Sequence, residues 1–477
     1  FSMFGKTYES DRLTKLIHDL DHKIDRSMTA VRTDMKQNMN LGSDTMNDNQ
    51  GHCLPRNFSR YASERGLTLE TLFGDQLNTV KDPNGDVYIT SNDAVELMFV
   101  LLLPYISAEP RVGLTSTTRR TPLPSPSDMN CDEPPYFKGR RDTPAKVYDL
   151  IGFGYELDTL EIRLVELDDV VDEFIIWEGL FTQRGNRKPL YYNPNRFLHF
   201  RNKIINLVQD YRDHANIALK NDDPAKDKHD WRNEGSFRRA LLEFAKQRLG
   251  EEKFRNAVFI VGDLDEIPSA EIVQKFKYCK ADRGVDLYRT FLHITNDIVR
   301  PMLPPNEKGY LVHGGIRTGD ELWQHPNRMR GDAPRYDKSA EGYHQSRIHP
   351  PHAWVLKLFG MAESNMKLPR RCAELVLDPV QFWAKCVIIE KDHPDVDASR
   401  AAFEQGWRGR CCGGPGGRGM YTLLPFDEWK GPLGSTRSWV MEQNKERYPW
   451  AWGALIEGYV KEHAERSDDE SPCFGAN

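Results

Sequence analysis

A chain of 477 residues exceeds one ordinary hydrophobic core, which excludes a peptide hormone or a minimal binding module and points to several domains or one large domain with appendages. Hydrophobic residues at 39% and charged residues at 29% describe a globular chain with a large polar surface. A balance of 65 basic against 71 acidic residues, net charge -6, excludes a general nucleic-acid binder. Nothing reaches the roughly 18 uninterrupted apolar residues of a membrane span; the best stretch, 97–106, is short and holds Pro104. The chain begins at Phe1, which fits a trimmed form that has lost a signal or anchor. Its eight cysteines form no CxxC pair and no zinc spacing, so they fit one or two disulfides in a secretory protein and free buried thiols in a cytosolic one equally.

In chain order, Leu13, Ile17, Leu20, Ile24, Met28, Val31 and Met35 recur every three or four residues and predict an amphipathic helix within a stem over 1–50. It reads either as a dimerising coiled-coil stalk or as a helix packed on its own domain. Residues 51–108 alternate short apolar runs with turn signals such as Asp82-Pro83-Asn84-Gly85. The stretch 109–145 carries seven prolines among Ser, Thr and Arg and reads as a linker. From 146 the pattern becomes strand (146–151), helix (156–167), strand (170–177), strand (203–208), helix (235–249) and strand (257–261). That alternation predicts an α/β domain over 146–400 with a mostly parallel sheet covered by helices and ligands at the carboxyl ends of its strands. An irregular extension over 401–477 holds a Gly-rich basic loop, Arg408 to Gly419, without the Lys-Ser/Thr of a P-loop.

The apolar run Ala257 to Val261 leads into Gly262-Asp263-Leu264-Asp265-Glu266-Ile267-Pro268. Alternation places Asp263 and Asp265 on one side of an extended chain, where two carboxylates repel unless a cation holds them. Their hard oxygens suit Mg²⁺ or Mn²⁺ bound together with a substrate's phosphates. The competing reading is an acidic turn capping a helix that begins at Pro268. On the metal reading, Asp265→Asn slows turnover on the order of 100-fold or more and changes stability little.

Several motifs, in order, resemble glycosyltransferase family 17, the β-1,4-mannosyl-glycoprotein 4-β-N-acetylglucosaminyltransferases. They are Tyr148-Asp149, Glu156-Leu157-Asp158-x-Leu160-Glu161-Ile162-Arg163-Leu164, Val171-Asp172-x-Phe174 with Glu178, Lys188-Pro189-Leu190-Tyr191, Trp231-Arg232-Asn233-Glu234 with Arg238, and 262–268. Downstream, Gly342-Tyr343-His344-x-Ser346 and Lys357-x-Phe359 with Glu363 are similar to the family, with Tyr343 in place of its Trp and Met361 in place of its His.

The resemblance implies a GT-A-type nucleotide-sugar-binding fold, inversion at the anomeric carbon, UDP-GlcNAc as donor, an N-glycan mannose as acceptor, and Mn²⁺ or Mg²⁺ on Asp263 and Asp265. It also implies a Golgi-lumenal type II membrane protein whose anchor is absent from this chain; the homodimer through the N-terminal helix belongs to the stalk reading of that helix. Glu178 and Lys188 bracket a loop that it places near the donor, the alternative being an exposed charged loop. Trp231, Glu234, Arg238 and Asp263 would contact donor, and Arg238 suits a diphosphate, although Glu234 and Arg238 also have the spacing of a plain ion pair on one helix face. Glu363 and His344 are the candidates for the catalytic base or for acceptor contact. Trp407, Trp429, Trp439, Trp450 and Trp452 could line a sugar subsite or serve as core. Two alternatives stay open: a transferase of the same architecture with another donor sugar or a non-N-glycan acceptor, and a non-catalytic glycan-binding protein.

Overall fold

A computed structural model describes residues 79–81, 87–89, 114, 122–183, 185–186, 188–209, 232–293, 295–299, 310–330, 333–346, 348–360, 368–369 and 424–455. The amphipathic helix expected over 10–39, the Gly-rich loop, Trp231, Glu363 and Trp407 lie outside these residues.

The centre is one sheet. Its first half comes from β1 (Val147–Phe153), β2 (Glu173–Gly179), β3 (Ile204–Gln209) and β4 (Val258–Asp263), which lie in the order β4-β1-β2-β3, all parallel. Helix α1 (Leu157–Leu167) joins β1 to β2, and α2 (Arg232–Arg255) precedes β4. Strands β1, β2 and β4 are buried on both faces, as a parallel sheet covered by helices requires, while the edge strand β3 is partly exposed. Val147, Ile151 and Phe153 of β1 join the core shared with α1 and α3 (Ala270–Tyr278), while Tyr148 and Leu150 join the core shared with Phe237, Leu241 and Leu242 of α2. The expected helix end at 249 is met by Gly250, whose φ of 70° breaks α2 before a last turn to Arg255.

Beyond β4 the sheet is mixed, so the expectation of a mostly parallel sheet holds for the first half only. Strand β5 (Glu266–Ile267) follows the carboxylates, then β6 (Val285–His293), β7 (Ile298–Val299) and β8 (Leu311–Thr318). Strand β8 runs antiparallel to both β4 and β6. Strands β9 (Arg335–Tyr336) and β10 (Tyr343–Ser346) run parallel to β6, and β10 pairs antiparallel with β5. Helices α4 (Gly319–Gln324) and α5 (Pro351–Gly360) follow β8 and β10. Helix α3 is capped by Ser269, whose hydroxyl accepts from the Ile272 amide at 3.3 Å, so Pro268 precedes the cap instead of opening the first turn.

Two stretches expected to be peripheral belong to this body. Proline-rich composition reads as a linker to 145, yet Cys131 is disulfide-bonded to Cys279 beyond α3, a short hairpin pairs 132–133 with 137–138, and Phe137 is fully buried against Phe276. At the other end, Leu424–Pro425 adds strand β11 to β7, and α6 (Trp439–Gln443) with 444–452 covers α1. That cover explains why every residue of α1 is buried, charged ones included. Glu161 receives hydrogen bonds from Arg196, Arg447 and the Tyr448 hydroxyl, and Glu166 from Tyr343, Ser438 and the Val440 amide. Trp429, Trp450 and Trp452 are buried in the core cluster.

Candidate active site

Strand β4 ends on Asp263, and the chain turns through Leu264 and Asp265 into β5. A turn at a sheet's end leaves carbonyls without ladder partners, and buried ones need donors. Arg163 of α1, fully buried, supplies them: Nη1 donates to the carbonyls of Asp263 at 2.8 Å, Leu264 at 3.2 Å and Glu266 at 3.0 Å. Its Nε and Nη2 form a two-bond fork with the Asp149 carboxylate of β1, both bonds 2.8 Å. Glu266 braces the turn from inside, accepting from the Asp263 amide at 3.0 Å. Glycines make room for that carboxylate, since a Cβ at Gly262 or at Gly314 (φ 59°) would stand 2.8 or 2.7 Å from it.

The two aspartates meet different partners. One oxygen of Asp263 accepts from Arg238 of α2 and the other from Arg330 Nη1 at 2.8 Å. Arg330 also reaches Glu266 at 2.6 Å and Glu234 at 3.5 Å, and Arg238 pairs with Glu234 at 2.5 Å. Burial alone would raise the Asp263 carboxyl, but Arg330 and Arg238 outweigh it and bring the pKa down to about 2. Asp265, deeper in the turn, accepts from Lys357 of α5 at 2.6 Å, with His344 Nε2 of β10 at 3.3 Å. Against the penalty of burial, Lys357 and His344 hold this carboxyl well below the usual range.

Lys357 continues inward to His349 Nε2 at 2.9 Å and Glu156 at 3.6 Å. Burial and then Lys357 push the His349 imidazole well below its usual pKa, so it is neutral, accepts from Lys357 on Nε2 and donates from Nδ1 to the Thr159 hydroxyl, 3.0 Å away. His344 stacks on Phe291 with ring centroids 5.0 Å apart.

The structure thus brings Glu234, Arg238, Asp263, Asp265 and His344 into one cluster at the carboxyl end of β4. The ion pair of Glu234 with Arg238 and the contact of Arg238 with Asp263 coexist. Glu178 and Lys188 are neither an exposed loop nor part of this cluster's hydrogen bonds. They are buried against each other at 3.0 Å, and Glu178 also accepts from the Tyr191 amide at 2.5 Å and the Tyr192 amide at 3.1 Å, which shapes the loop after β2.

Sequence reasoning assigned no role to Arg163, Asp149, Arg330, Lys357 or His349. Arg163 sits mid-helix among apolar residues, a position where a guanidinium needs a buried partner, and that position and its place in the motif Glu156 to Leu164 are its visible signals.

No group of three or more His, Cys, Asp or Glu side chains among the described residues is arranged to hold a metal by itself. Asp263 and Asp265 are each already paired with cationic side chains, Asp263 with Arg238 and Arg330 and Asp265 with Lys357.

Residues 131–293 match glycosyltransferase family 17. The β-1,4-mannosyl-glycoprotein 4-β-N-acetylglucosaminyltransferases of rat and human are each 31% identical to this chain over 133 residues, and that of mouse 30%. Each alignment covers 28% of this chain and 23% of the relative, so the chain spans under a quarter of the length of the curated relatives it matches. No solved structure matches the chain significantly. Asp149, Arg163, Glu234, Arg238, Asp263 and Asp265 fall inside the family-matched segment, whereas Arg330, His344, His349 and Lys357 fall outside it.

Proposed function

We propose, from the glycosyltransferase family 17 domain at residues 131–293, that this protein transfers a sugar from a nucleotide donor to a mannose of a glycoprotein N-glycan. UDP-GlcNAc is the donor in this reading, and the anomeric carbon inverts. The observation that supports it most is the carboxylate turn at 263–266, pinned by Arg163 at the carboxyl end of a central strand, inside the family-matched segment. Open α/β sheets place ligands at that end.

Asp263 and Asp265 are the hard oxygen donors that would hold Mn²⁺ or Mg²⁺ in this reading, in place of Arg330 and Lys357. An ion held there would supply charge neutralisation of the leaving diphosphate. Arg238 and Arg330, each about a quarter exposed, present guanidinium groups that grip phosphate oxygens in pairs. Lys357 fixes the inner aspartate and is itself fixed by His349 and Glu156. His344, held 3.3 Å from Asp265 and stacked on Phe291, is the described candidate to take the acceptor hydroxyl's proton. Holding that hydroxyl in line with the anomeric carbon provides the remaining advantage over solution.

A secretory lumen is the compartment in this reading, and the Cys131–Cys279 disulfide supports it. No helix among the described residues is long and apolar enough to cross a membrane; the anchor belongs to the proposal.

Purified protein incubated with Mn²⁺, UDP-GlcNAc and a mannose-terminated or biantennary N-glycan should yield a product heavier by one N-acetylhexosamine. Strong preference for another nucleotide sugar would replace the donor, and absence of any Mn²⁺-dependent UDP binding would overturn the transferase reading.

A further inference from the structure

Strand β8 is antiparallel to both β4 and β6, so β4 and β6 run the same way, and β6 ends at His293 on the edge of the sheet where Asp263 stands. Strand β10 lies between β5 and β6, with His344 opposite Glu266 on one side and Phe291 on the other, and the Gln345 amide donates to the Asp265 carbonyl at 2.9 Å. The turn at 295–297, which joins β6 to β7, is therefore about 10 Å, two strand spacings, across from the carboxylate turn, with His344 between them.

That second turn concentrates polar atoms that the fold leaves uncompensated. Asn296 is fully buried and its backbone amide donates to the Ala451 carbonyl at 2.7 Å, yet among the described residues neither its side-chain oxygen nor its side-chain nitrogen has a hydrogen-bond partner. The indole N–H groups of Trp450 and Trp452, on either side of Ala451, are likewise buried without an acceptor among the described residues. The two segments meet again where the Gly453 amide donates to the Asp297 carboxylate at 3.1 Å. A buried polar atom without a partner costs its full desolvation, and a position that needed only to pack would carry an apolar side chain of the same size. Four such atoms at one junction point to a ligand that supplies the missing partners. That ligand is uncharged, because the groups are an amide and two neutral donors, and it carries hydroxyls, because the amide needs both a donor and an acceptor. A carbohydrate has this chemistry, whereas a diphosphate only accepts.

We propose that the turn 295–297 and the facing segment 450–453 are the seat of the acceptor glycan, where Asn296 and Trp450 hydrogen-bond the hydroxyls of a sugar residue adjoining the one that reacts beside His344. The inference rests on the transferase reading above and names the part of the protein that reads its acceptor. The donor side of that reading lies away from this turn: Arg238 and Arg330 meet Asp263, whereas His344 meets Asp265 and neighbours β6. Because Asn296 has no exposed surface, a sugar reaches it as the segment 450–453 lifts, exchanging the bonds of Asn296 with Ala451 and of Gly453 with Asp297 for its own. If Asn296 is only a poorly paired core residue, removing its amide strengthens the fold and leaves glycan binding alone.

The test compares wild type, Asn296→Leu and Trp450→Phe. Leucine matches asparagine in size without its polar atoms, and phenylalanine keeps an aromatic ring without the N–H; Trp450→Phe reports by itself if Asn296→Leu folds poorly. Each protein is measured for its thermal midpoint, for binding of a biantennary N-glycan by calorimetry, and for the separate KM values of glycan and UDP-GlcNAc in transfer. Both variants should bind the glycan about tenfold or more weaker, with the glycan KM raised by the same factor and the UDP-GlcNAc KM kept. Asn296→Leu should be no less stable than wild type. Wild-type glycan affinity and KM in the folded variants overturn the seat and leave the transferase reading standing. Glycan binding by wild type that the variants lose, without transfer from any nucleotide sugar, supports the seat and overturns the transferase reading. A wild type that neither binds the glycan nor transfers to it overturns both.

Discussion

Arg163 and Asp149 meet in a two-bond fork, each bond 2.8 Å, with neither side chain exposed to solvent. The same guanidinium carries the carbonyls of Asp263, Leu264 and Glu266, so a helix and a strand jointly set where the carboxylate turn stands. A lysine ammonium cannot form the fork and reach three carbonyls at once. Arg163→Lys should therefore lose about 3–5 kcal/mol in urea unfolding, because Asp149 is left buried and underpaired. Mn²⁺-dependent UDP binding should fall with it. A variant with wild-type stability and wild-type UDP affinity would rule out this scaffold.

Asp263→Asn and Asp265→Asn should each slow transfer on the order of 100-fold or more if, as proposed, both carboxylates hold the ion that neutralises the leaving diphosphate. Their stabilities should differ. Asp263 is the more exposed, and its change should alter unfolding free energy by under about 1 kcal/mol. Asp265 is paired with an interior lysine, so Asp265→Asn should destabilise by about 3 kcal/mol, against the small change that the sequence alone suggests. Transfer rates and urea midpoints on both variants check this, and full activity in both would remove the site.

His349 makes stability depend on pH. Its folded pKa lies well below the ordinary 6.5, so as pH falls through 6.5 the unfolded chain takes up a proton that the folded chain does not. The contribution is complete above pH 6.5 and is lost below it, with a slope approaching about 1.4 kcal/mol per pH unit. Between pH 7.5 and 5.5 wild type should lose about 1 kcal/mol more than His349→Gln. Parallel slopes in the two proteins would mean that the imidazole is protonated in the fold.

The Cys131–Cys279 disulfide closes a loop over a sequence separation of 148 residues. In the chain-entropy account such closure stabilises by about 5 kcal/mol. Reduction, or Cys131→Ala, should lower the thermal midpoint sharply. Digestion without reductant should yield a linked peptide pair carrying both cysteines, and two free thiols there would take away the support for an oxidising compartment.

Local pattern was enough to locate β1, β2, β3 and β4 within a few residues, to end the main segment of α2 at 249, and to single out the carboxylates after β4. The reason is that a strand buried on both faces writes itself as an unbroken apolar run, and a helix as a three-to-four period, within a dozen residues of chain. The second half of the sheet was not legible in this way, because β6 and β8 show no local sign of whether their neighbours run parallel or antiparallel. Composition also misled: 109–145 is rich in proline, but Phe137 and Cys131 join the body through partners near 276–279, which no window around them contains.

The site divides along the same line. Asp263 and Asp265 were visible as a pair; their partners Arg330 and Lys357 lie 67 and 92 residues further along the chain, Arg330 in a charged stretch and Lys357 in an apolar helix, neither of which points back to the turn. Only the packing of α5 and of the turn after α4 against the end of β4 decides which cation meets which carboxylate. A charge in sequence carries no mark of its burial, and burial is what turns these residues from solvated surface into a network that holds the two aspartates ionised and apart.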